Sequence, residues 1–394
     1  MKNVILISKD CQLVDYYPTY GNTYWKTPNI DELARKGTIF RKHYTAAPST
    51  AMAFTSMFTG LYPYQLERAI YEEVENFEQG TTLFDEMYNR GYECHLIWSN
   101  NYIHMAEKFS KCYGKHTIHH ENKKMNQSVG VHIPRNEERN SINRDDDKVD
   151  DIIRYLLNEI DSIKQDRPLF LWIHLPHVIL GRCGYGQDID VFDEFIGEIR
   201  KRFNDDEIYI TADHGNMNGV KGKTCYGFDV YEPAIHIPLI TPRIDQYSEI
   251  DFPTSNIQLM QIILENKIEK NRYIVCDTQY YAQPYRKTAI ISDKYKYIYN
   301  KLTRKEELYD LEYDPNENIN LLEKLLYDQD RKRKVNAEQV IFYPYRECAD
   351  LAYVDMKAYL MSFWREASKP IEIKNYLHWK LSSYKAALKR ILSK

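Results

Sequence analysis

The chain has 394 residues, of which 43% are hydrophobic and 28% charged, a composition typical of a folded globular protein and not of a disordered or fibrous one. This length suits one large α/β domain, alone or with a smaller appendage. The net charge of −4 creates no field that would attract nucleic acid, so we predict no nucleic-acid partner.

The seven cysteines are scattered and include no pair in C-x-x-C spacing, so neither a disulfide framework nor a zinc knuckle is indicated. Residues 1–3 lead directly into the apolar run Val4–Ile7, which is too short for the core of a signal peptide. No apolar run of about 18 residues, the length of a membrane span, occurs in the sequence. These features predict a soluble cytoplasmic protein.

Short apolar runs alternate with amphipathic helical segments in the first half of the chain. Each run is continuous, which is typical of buried parallel strands. The predicted strands cover residues 3–8, 94–98, 168–174 and 207–212, and the predicted helices begin near Thr27, Ala51, Thr81, Lys148 and Asp190. This alternation predicts an α/β fold in which helices cover both faces of a mainly parallel sheet.

Polar residues follow the predicted strands at the points where the strands end. In open α/β sheets, ligands bind beyond the carboxyl ends of the strands. The candidate binding residues at this edge are Asp10, Asn100, Asn101, His174, His177, Asp213 and His214. We therefore expect several strands to deliver polar groups to one site, within reach of the segment that precedes Ala51.

Residues 44–63 are rich in serine, threonine and small residues and close with Gly60-x-x-Pro63. Small residues let the backbone approach a ligand closely, and a hydroxyl among them can act as a nucleophile if it is activated. Taken alone, such a stretch is more often a solvated loop with a helix N-cap. The flanking residues decide between the two interpretations.

The character of the sequence changes after about Pro242. Segments such as 288–291 and 294–299 alternate apolar and polar residues, as antiparallel strands do. The predicted divisions are a larger domain at residues 1–245, a smaller α+β subdomain at 246–330 and a helical tail at 331–394. The polar stretch 113–148, whose histidines fit no standard metal site, is predicted to be an insertion.

The end of the tail, residues 371–394, is a predicted amphipathic helix with six Lys or Arg against one Glu. A basic amphipathic helix either packs its apolar stripe on the main domain or lies on an anionic membrane surface. Both interpretations stay open, so a peripheral membrane contact through the tail is one expected interaction.

Asp10, Asp213 and His214 offer oxygen and nitrogen ligands suited to a divalent cation. The Thr50 hydroxyl could complete the shell, and a bound cation would lower its pKa and offset the charge of an anionic substrate. Each of these residues alone has a common structural role, such as a turn or a cap. Only their combination indicates a metal site beside a nucleophile.

Several segments, in this order and spacing, resemble the sulfatase branch of the alkaline phosphatase superfamily. Aligning Ala47-Pro48 and Thr59-Gly60 with the family's nucleophile motif puts Thr50 at the nucleophile position. The other matching segments are 26–34, 37–40, 211–215, 231–239 and 307–321. The resemblance covers residues 3–325 and implies an alkaline-phosphatase-like fold, with a metal-dependent catalytic domain at 1–245.

The chain departs from true sulfatases at the nucleophile itself. Sulfatases convert a Cys or Ser in a C/S-x-P-S-R frame to formylglycine, whereas this frame reads Thr50-Ala51-Met52-Ala53-Phe54 and threonine cannot yield that aldehyde. The second of the family's two leading aspartates is Cys11 here. A threonine nucleophile resembles the superfamily's phosphoethanolamine and phosphoglycerol transferases and its phosphodiesterases instead.

Those relatives imply a double displacement, in which Thr50 attacks a phosphodiester and the resulting phosphothreonine is resolved by water or an acceptor hydroxyl. The implied cofactor is one divalent metal ion (Mn, Zn, Mg or Ca) held by Asp10, Thr50, Asp213 and His214. Two further catalytic residues are implied: His177, to protonate the leaving oxygen, and Lys223, to neutralise a phosphoryl oxygen. The candidate substrate-binding residues are Asn100, Asn101, His174 and His236.

The expected substrate is a phosphorylated small molecule or a glycan-linked phosphate, such as a precursor of a cell-surface glycan. Two alternatives stay open: hydrolysis of sulfate esters, and a non-catalytic protein that keeps the fold to bind a glycan or a partner. The second alternative stays open because the chain lacks the Lys and His that many sulfatases direct at the sulfate, as well as their second leading aspartate.

Overall fold

The computed structural model of the protein describes most of the chain outside a few segments. The described residues are 1–65, 67–69, 73–76, 81–98, 116–121, 146–175, 188–223, 226–278, 287–301, 303–322 and 346–367. The predicted site residues Asn100, Asn101 and His177 and the helix predicted at 371–394 lie outside them. Within the described residues, no helix is both long and apolar enough to cross a membrane.

The bounds of the secondary structure are as follows. Strands β1 to β16 are, in order, Val4–Lys9, Thr38–Phe40, His43–Tyr44, Glu67–Ala69, Glu73–Asn76, Glu93–Trp98, Ile118–Glu121, Leu169–Leu175, Ile208–Ala212, Leu239–Thr241, Glu249–Ile250, Thr254–Ser255, Ile274–Asp277, Lys287–Ile291, Tyr295–Asn300 and Glu306–Asp310. Helices α1 to α8 are, in order, Pro28–Lys36, Thr50–Thr59, Leu83–Asn89, Asp146–Ser162, Ile189–Arg200, Glu232–Ile235, Leu259–Glu265 and Arg346–Ala367.

The main sheet has eight strands in the order β11-β2-β10-β9-β1-β8-β6-β7. The strands from β9 through β1, β8 and β6 to β7 are all parallel, whereas β10 is antiparallel to both β9 and β2. The predicted α/β fold with a mainly parallel sheet is therefore confirmed. Strand β1 lies near the centre of the sheet, and all six of its residues are buried.

Both faces of the sheet are covered, because successive side chains of a strand point to opposite faces. On one face, Ile5 and Ile7 pack with residues of α1, α4 and α5. On the other face, Val4 and Leu6 pack with residues of α2, α3 and α7. Complete burial of one such side chain contributes about 1.5–3 kcal/mol. This two-sided burial is the reason that the strand reads as one continuous apolar run.

The polar stretch predicted as an insertion contains strand β7. This strand pairs in parallel with β6 at the edge of the main sheet, with Ile118 opposite His95. The ring nitrogens His95 Nδ1 and His120 Nε2 lie 2.8 Å apart across the pair. An edge strand needs no apolar run, since it is paired on one side only, and its sequence therefore carried no strand signal.

Strands β13 to β16 form a second, four-stranded antiparallel sheet in sequence order, as the alternating segments predicted. Helix α8 packs on it through Met356 and Leu360, which share a hydrophobic cluster with Tyr297. The small sheet contacts the segment before α2, because the backbone N–H of Asp277 donates to the carbonyl of Ala46 at 3.0 Å. The C-terminal sheet thus lies against the loop that leads to Thr50.

Candidate active site

Four of the predicted residues meet at the carboxyl edge of the main sheet. Asp10 follows β1 and Asp213 follows β9, and these are neighbouring parallel strands. Thr50 is the first residue of α2, and its Oγ1 lies 3.0 Å from Nε2 of His214. The same nitrogen lies 3.3 Å from Asp213 Oδ2 and 3.8 Å from Asp10 Oδ1. All four side chains are buried, so their polar atoms face one another and not solvent.

Helix α2 holds Thr50 in this position. All ten residues of the helix are buried, and Gly60 ends it in the left-handed conformation, with φ 69°. Asn256 fixes the approach to the helix: its Oδ1 accepts from the backbone N–H of Ala46, and its Nδ2 donates to the carbonyl of Ala53. A single amide therefore ties the preceding loop to the first turn and sets where Thr50 points.

The ring of His214 presents a lone pair to this group. Its Nδ1 lies 2.8 Å from the carbonyl oxygen of Gly215, which can only accept, so Nδ1 carries the ring proton. Nε2 is then the free acceptor, and the Thr50 hydroxyl donates its proton to it. Histidines that bind metals commonly donate their other ring N–H to a backbone carbonyl in this way, which fixes the tautomer.

Asp213 has one oxygen engaged and one available. Its Oδ1 accepts from the backbone N–H groups of His214 and Cys11, at 2.7 and 3.1 Å. Its Oδ2 is completely buried and has no hydrogen-bond partner among the described residues. Burial raises the pKa of this carboxyl, and the nearby Asp10 charge acts in the same direction.

These observations test whether the residues fit a divalent cation. A buried carboxylate oxygen that lacks a partner is rare and calls for an explanation, such as an ion. Ligand atoms of Asp10, His174 and Asp213 lie within 4.8 Å of one another, as do those of Asp10, Cys11 and His214. Carboxylate, imidazole and hydroxyl groups at these spacings form a donor set that a divalent cation can bind. The residues therefore fit the predicted cofactor.

Cys11 follows Asp10 directly and belongs to the same buried group. Its φ of 56° places it in the left-handed region, where its N–H can reach Asp213. Its Sγ lies 3.7 Å from Nδ1 of His214. Burial raises the pKa of this thiol, and the charges of Asp10 and Asp213 raise it further.

His174, predicted to contact the substrate, lies deeper than expected. It is a buried residue of β8, and its Nδ1 lies 3.0 Å from Ser8 Oγ, which also accepts from Trp172 Nε1 at 2.8 Å. The Phe54 ring packs edge-on against the imidazole. Burial lowers the pKa of His174 to about 4, so the ring is neutral near pH 7. The structure thus places His174 as a neutral imidazole beside Asp10 and Asp213.

Lys223 and His236 lie in different surroundings. Lys223 Nζ pairs with Asp229 Oδ2 at 2.6 Å, and Asp229 also binds Lys287. The loop that carries Lys223 returns to the site at Tyr226, whose ring lies 4.4 Å from the His214 ring. His236 stacks on Tyr44 and contacts the carbonyl of Arg41 through Nε2 at 2.8 Å, which is a supporting position under the loop before α2.

Gly215 allows the loop of His214 to pass close to helix α6. A Cβ at this position would lie 2.0 Å from the carbonyl oxygen of Pro233. We therefore expect Gly215→Ala to lower the free energy of unfolding by about 1–3 kcal/mol, because the backbone must shift. Urea unfolding followed by circular dichroism measures this change.

The matched control for Gly215 is Gly197, in α5. A Cβ there would meet only the side-chain amide of Asn29, at 2.8 Å, and a side-chain end moves more easily than backbone. Gly197→Ala also gains helix propensity, so we expect it to be near neutral. Equal losses of stability in the two variants would contradict the close approach at Gly215.

With this geometry established, the first half of the chain can be compared with known families. Residues 2–178 match the family model described as Sulfatase. This segment is therefore similar to the sulfatase family. It supplies Asp10, Thr50 and His174, while Asp213 and His214 come from beyond the matched range.

Two curated relatives align with parts of the chain. An arylsulfatase of Clostridium perfringens is 29% identical over 136 residues, which is 34% of this chain and 26% of the relative. The multifunctional alkaline phosphatase superfamily protein PehA of Trinickia caryophylli is 34% identical over 101 residues, 24% of this chain and 20% of the relative. The aligned parts thus span about a quarter and a fifth of the two relatives' lengths.

Solved structures resemble the fold over most of the chain. The phosphonate monoester hydrolase of Agrobacterium radiobacter superposes with a TM-score of 0.60 at 16% identity, covering 91% of this chain and 96% of the other. A 2-O GAG sulfatase superposes with a TM-score of 0.59 at 17% identity, covering 94% and 96%. At these identities the likeness establishes the fold alone.

Sequence reasoning missed the residues that position the candidate site from a distance. Asn256 ties down the loop before Thr50, and Ser8 orients His174. Lys9 Nζ pairs with Asp188 Oδ1 at 2.7 Å, and both side chains are completely buried beside Asp10. The Lys in the apolar run of β1 was the one local signal, since a buried Lys requires an anionic partner.

Proposed function

We propose that the protein is a metal-dependent enzyme that cleaves or transfers phosphate esters, with Thr50 as the nucleophile. The observation that carries the proposal is the position of Thr50. Its hydroxyl is buried at the start of α2 and lies within 3.0 Å of a histidine that sits between two carboxylates. The match of residues 2–178 to the family model described as Sulfatase supports an ester-cleaving enzyme.

The choice of phosphate over sulfate rests on the nucleophile. Threonine cannot be oxidised to the aldehyde that sulfatases use, so Thr50 has to attack as a hydroxyl. Transfer through a side-chain hydroxyl gives a covalent ester that a second alcohol or water must displace. Names among the similar proteins, a phosphonate monoester hydrolase and a multifunctional alkaline phosphatase superfamily protein, fit phosphorus chemistry on this fold.

The residues around Thr50 suit an anionic substrate. Helix α2 directs the positive end of its dipole and its free N–H groups at the site, an arrangement that favours phosphate. The hydroxyl of Ser49, next to Thr50, is buried and has no hydrogen-bond partner within the described part of the chain. It is therefore available to donate to a phosphoryl oxygen. The Tyr226 ring packs against the His214 ring, with their centroids 4.4 Å apart.

The reaction has two displacements at phosphorus. A divalent cation held by Asp10, Asp213 and His214 would lower the pKa of the Thr50 hydroxyl and screen the charge of the phosphate. Oγ1 of Thr50 releases its proton to solvent and forms a bond to phosphorus, while the bond from phosphorus to the leaving alcohol breaks. The leaving oxygen takes a proton from an acid, for which we propose His177. Water or an acceptor hydroxyl then breaks the phosphothreonine ester and restores Thr50.

For the substrate we propose a phosphorylated small molecule or a glycan-linked phosphate, and for the location the cytoplasm. Lys223 and Lys287, which share Asp229, would add positive charge near the loop of Tyr226. Such charge suits a substrate with more than one anionic group. The alternative is sulfate ester hydrolysis, which the arylsulfatase relative favours over its aligned 136 residues.

The test compares a phosphodiester with a sulfate ester under metal control. With Mn²⁺ or Zn²⁺, we expect bis-p-nitrophenyl phosphate to be cleaved faster than p-nitrophenyl sulfate, and EDTA to remove the activity until metal is restored. Asp213→Asn should lose both activity and bound metal, because it removes one buried anionic ligand. Asp293→Asn makes the same change at an exposed residue and should keep both. Faster cleavage of the sulfate ester would overturn the proposal.

A further inference from the structure

The thiol of Cys11 lies inside the buried group that would hold the cation. The residue is completely buried, and it continues the chain from Asp10 at the carboxyl end of β1. Its Sγ, a carboxylate oxygen of Asp10 and a ring nitrogen of His214 all lie within 4.8 Å of one another. Sulfur is thus as close to the other ligand atoms as those atoms are to each other.

A second observation concerns one oxygen of Asp213. Its Oδ2 is completely buried, lies 3.3 Å from Nε2 of His214, and has no hydrogen-bond partner within the described residues. A buried carboxylate with an unused oxygen is compensated when it binds a cation.

The backbone of Cys11 is held to the same carboxylate. Its N–H donates to Oδ1 of Asp213 at 3.1 Å, so the Cα of Cys11 has a fixed distance from the oxygen that would bind the ion. Rotation about the Cα–Cβ bond then moves Sγ between staggered positions beside the His214 ring. The thiol thus lies beside the His214 ring, 3.7 Å from Nδ1.

The chemistry of the donors separates the candidate cations. Mg²⁺ and Ca²⁺ take oxygen ligands, and a sulfur in their shell contributes little. Zn²⁺ accepts sulfur, nitrogen and oxygen together and favours four ligands in a tetrahedron. Asp10, Cys11 and His214 would supply one oxygen, one sulfur and one nitrogen, a mixed set that suits zinc and leaves a fourth position for the Thr50 oxygen.

We propose that the Cys11 thiolate is a ligand of the active-site cation and that it makes this site selective for zinc. When the ion binds, the S–H bond loses its proton to solvent and sulfur gives an electron pair to the metal. No oxidant or reductant is required. The inference rests on the proposed function, because it concerns the metal site on which that function depends.

The experiment replaces zinc by Co²⁺ in the full-length protein and records its absorption. A thiolate bound to Co²⁺ gives a strong charge-transfer band in the near ultraviolet, and oxygen or nitrogen ligands do not. We expect the band in the wild type with one equivalent of cobalt. Cys11→Ser should remove it while weaker visible cobalt bands remain, and Cys11→Ala should give the same loss.

Cys94 provides the matched control. It is buried like Cys11, but its Sγ contacts the carbonyl of Phe84 in the hydrophobic layer between α3 and β6. Cys94→Ser should therefore keep the band.

A second variant, Cys11→Asp, supplies an oxygen ligand in place of sulfur. Competition titrations of this variant should show zinc affinity falling by about 10-fold or more relative to manganese.

Three outcomes would contradict the proposed role of Cys11. Cobalt that binds to the wild type without a charge-transfer band overturns the role of Cys11 and leaves the proposed function standing. A band that persists in Cys11→Ser and Cys11→Ala assigns it to another cysteine and also overturns the role. A wild-type protein that binds no cobalt, zinc or manganese contradicts the metal-dependent function, and the role of Cys11 fails with it.

Discussion

Replacing Thr50 by alanine is expected to reduce the cleavage of bis-p-nitrophenyl phosphate by about 10³-fold or more. The variant loses the only atom that can form the covalent ester, while the neighbouring carboxylates and His214 stay in place. Thr50→Ser keeps a hydroxyl at the start of α2 and should retain a substantial part of the rate. Initial rates at saturating metal provide the measurement.

Thr59→Ala is the control for Thr50→Ala. Thr59 is the last residue of the same helix, and its hydroxyl donates to the carbonyl of Thr55, so the variant loses a buried threonine hydroxyl far from the site. We expect it to keep the wild-type rate. Intact-mass analysis after incubation with a phosphodiester should also show a phospho-adduct in the wild type but not in Thr50→Ala. Equal rates in the wild type and Thr50→Ala would exclude Thr50 as the nucleophile.

The parts of the fold that sequence could predict are those with a local signal. Strand β1 reads as an unbroken apolar run because helices cover both of its faces, and the same holds for β8 and β9. In parallel strands, the residues that follow each run lie at one edge. That rule alone placed Asp10 beside Asp213 and His214, although more than two hundred residues separate them.

The positioning residues had no such signal. Asn256 is one amide in an unremarkable segment, and its role exists only because the chain returns to pair β12 with β3 next to the loop before α2. Ser8 and Trp172 likewise meet across neighbouring strands. A hydrogen bond between distant segments depends on the register of the strands, which sequence patterns do not specify to the residue.

The exchange of aspartate for cysteine after Asp10 was visible in the sequence, but its meaning was not. A cysteine in an apolar environment behaves most often as a small hydrophobic residue. The structure shows the thiol facing a histidine ring and two carboxylates, surroundings that are polar although they are buried. The chemical environment of the side chain, and not its burial, decides between a packing residue and a ligand.

Lys296→Met is expected to destabilise the protein by about 3–5 kcal/mol, the largest effect on stability that the structure predicts outside the hydrophobic core. Lys296 is completely buried on β15, and its Nζ lies 3.0 Å from Glu232 Oε1 and 2.9 Å from Glu317 Oε1. Methionine fills a similar volume but leaves two carboxylates without their cation. Glu232 is the first residue of α6, and the carbonyl of Ala234 in this helix accepts a hydrogen bond from the N–H of Gly215. Destabilisation of α6 should therefore also affect the loop of His214.

The pH dependence of the Lys296→Met variant identifies the cause of its instability. Burial raises the pKa of Glu317, and burial acts on Glu232 in the same direction, but the Lys296 charge keeps the pKa of Glu232 low in the wild type. Without Lys296, both folded-state pKa values should lie above the unfolded value of about 4.3. Carboxyls with raised folded pKa values favour the folded state at low pH and lose that contribution as the pH rises. The deficit should therefore shrink as the pH is lowered from neutral toward that value.

Urea unfolding of three variants separates the buried charge from a general loss of packing. Lys270→Met removes an exposed lysine that pairs with Asp293, and we expect it to cost less than about 1 kcal/mol. Lys296→Met with Glu317→Gln removes one of the two uncompensated charges and should recover part of the lost stability. If the double variant were no more stable than Lys296→Met, or if the deficit of Lys296→Met did not change with pH, repulsion and desolvation of the two glutamates could not be its cause. The loss would then have to come from the packing of the buried lysine stem.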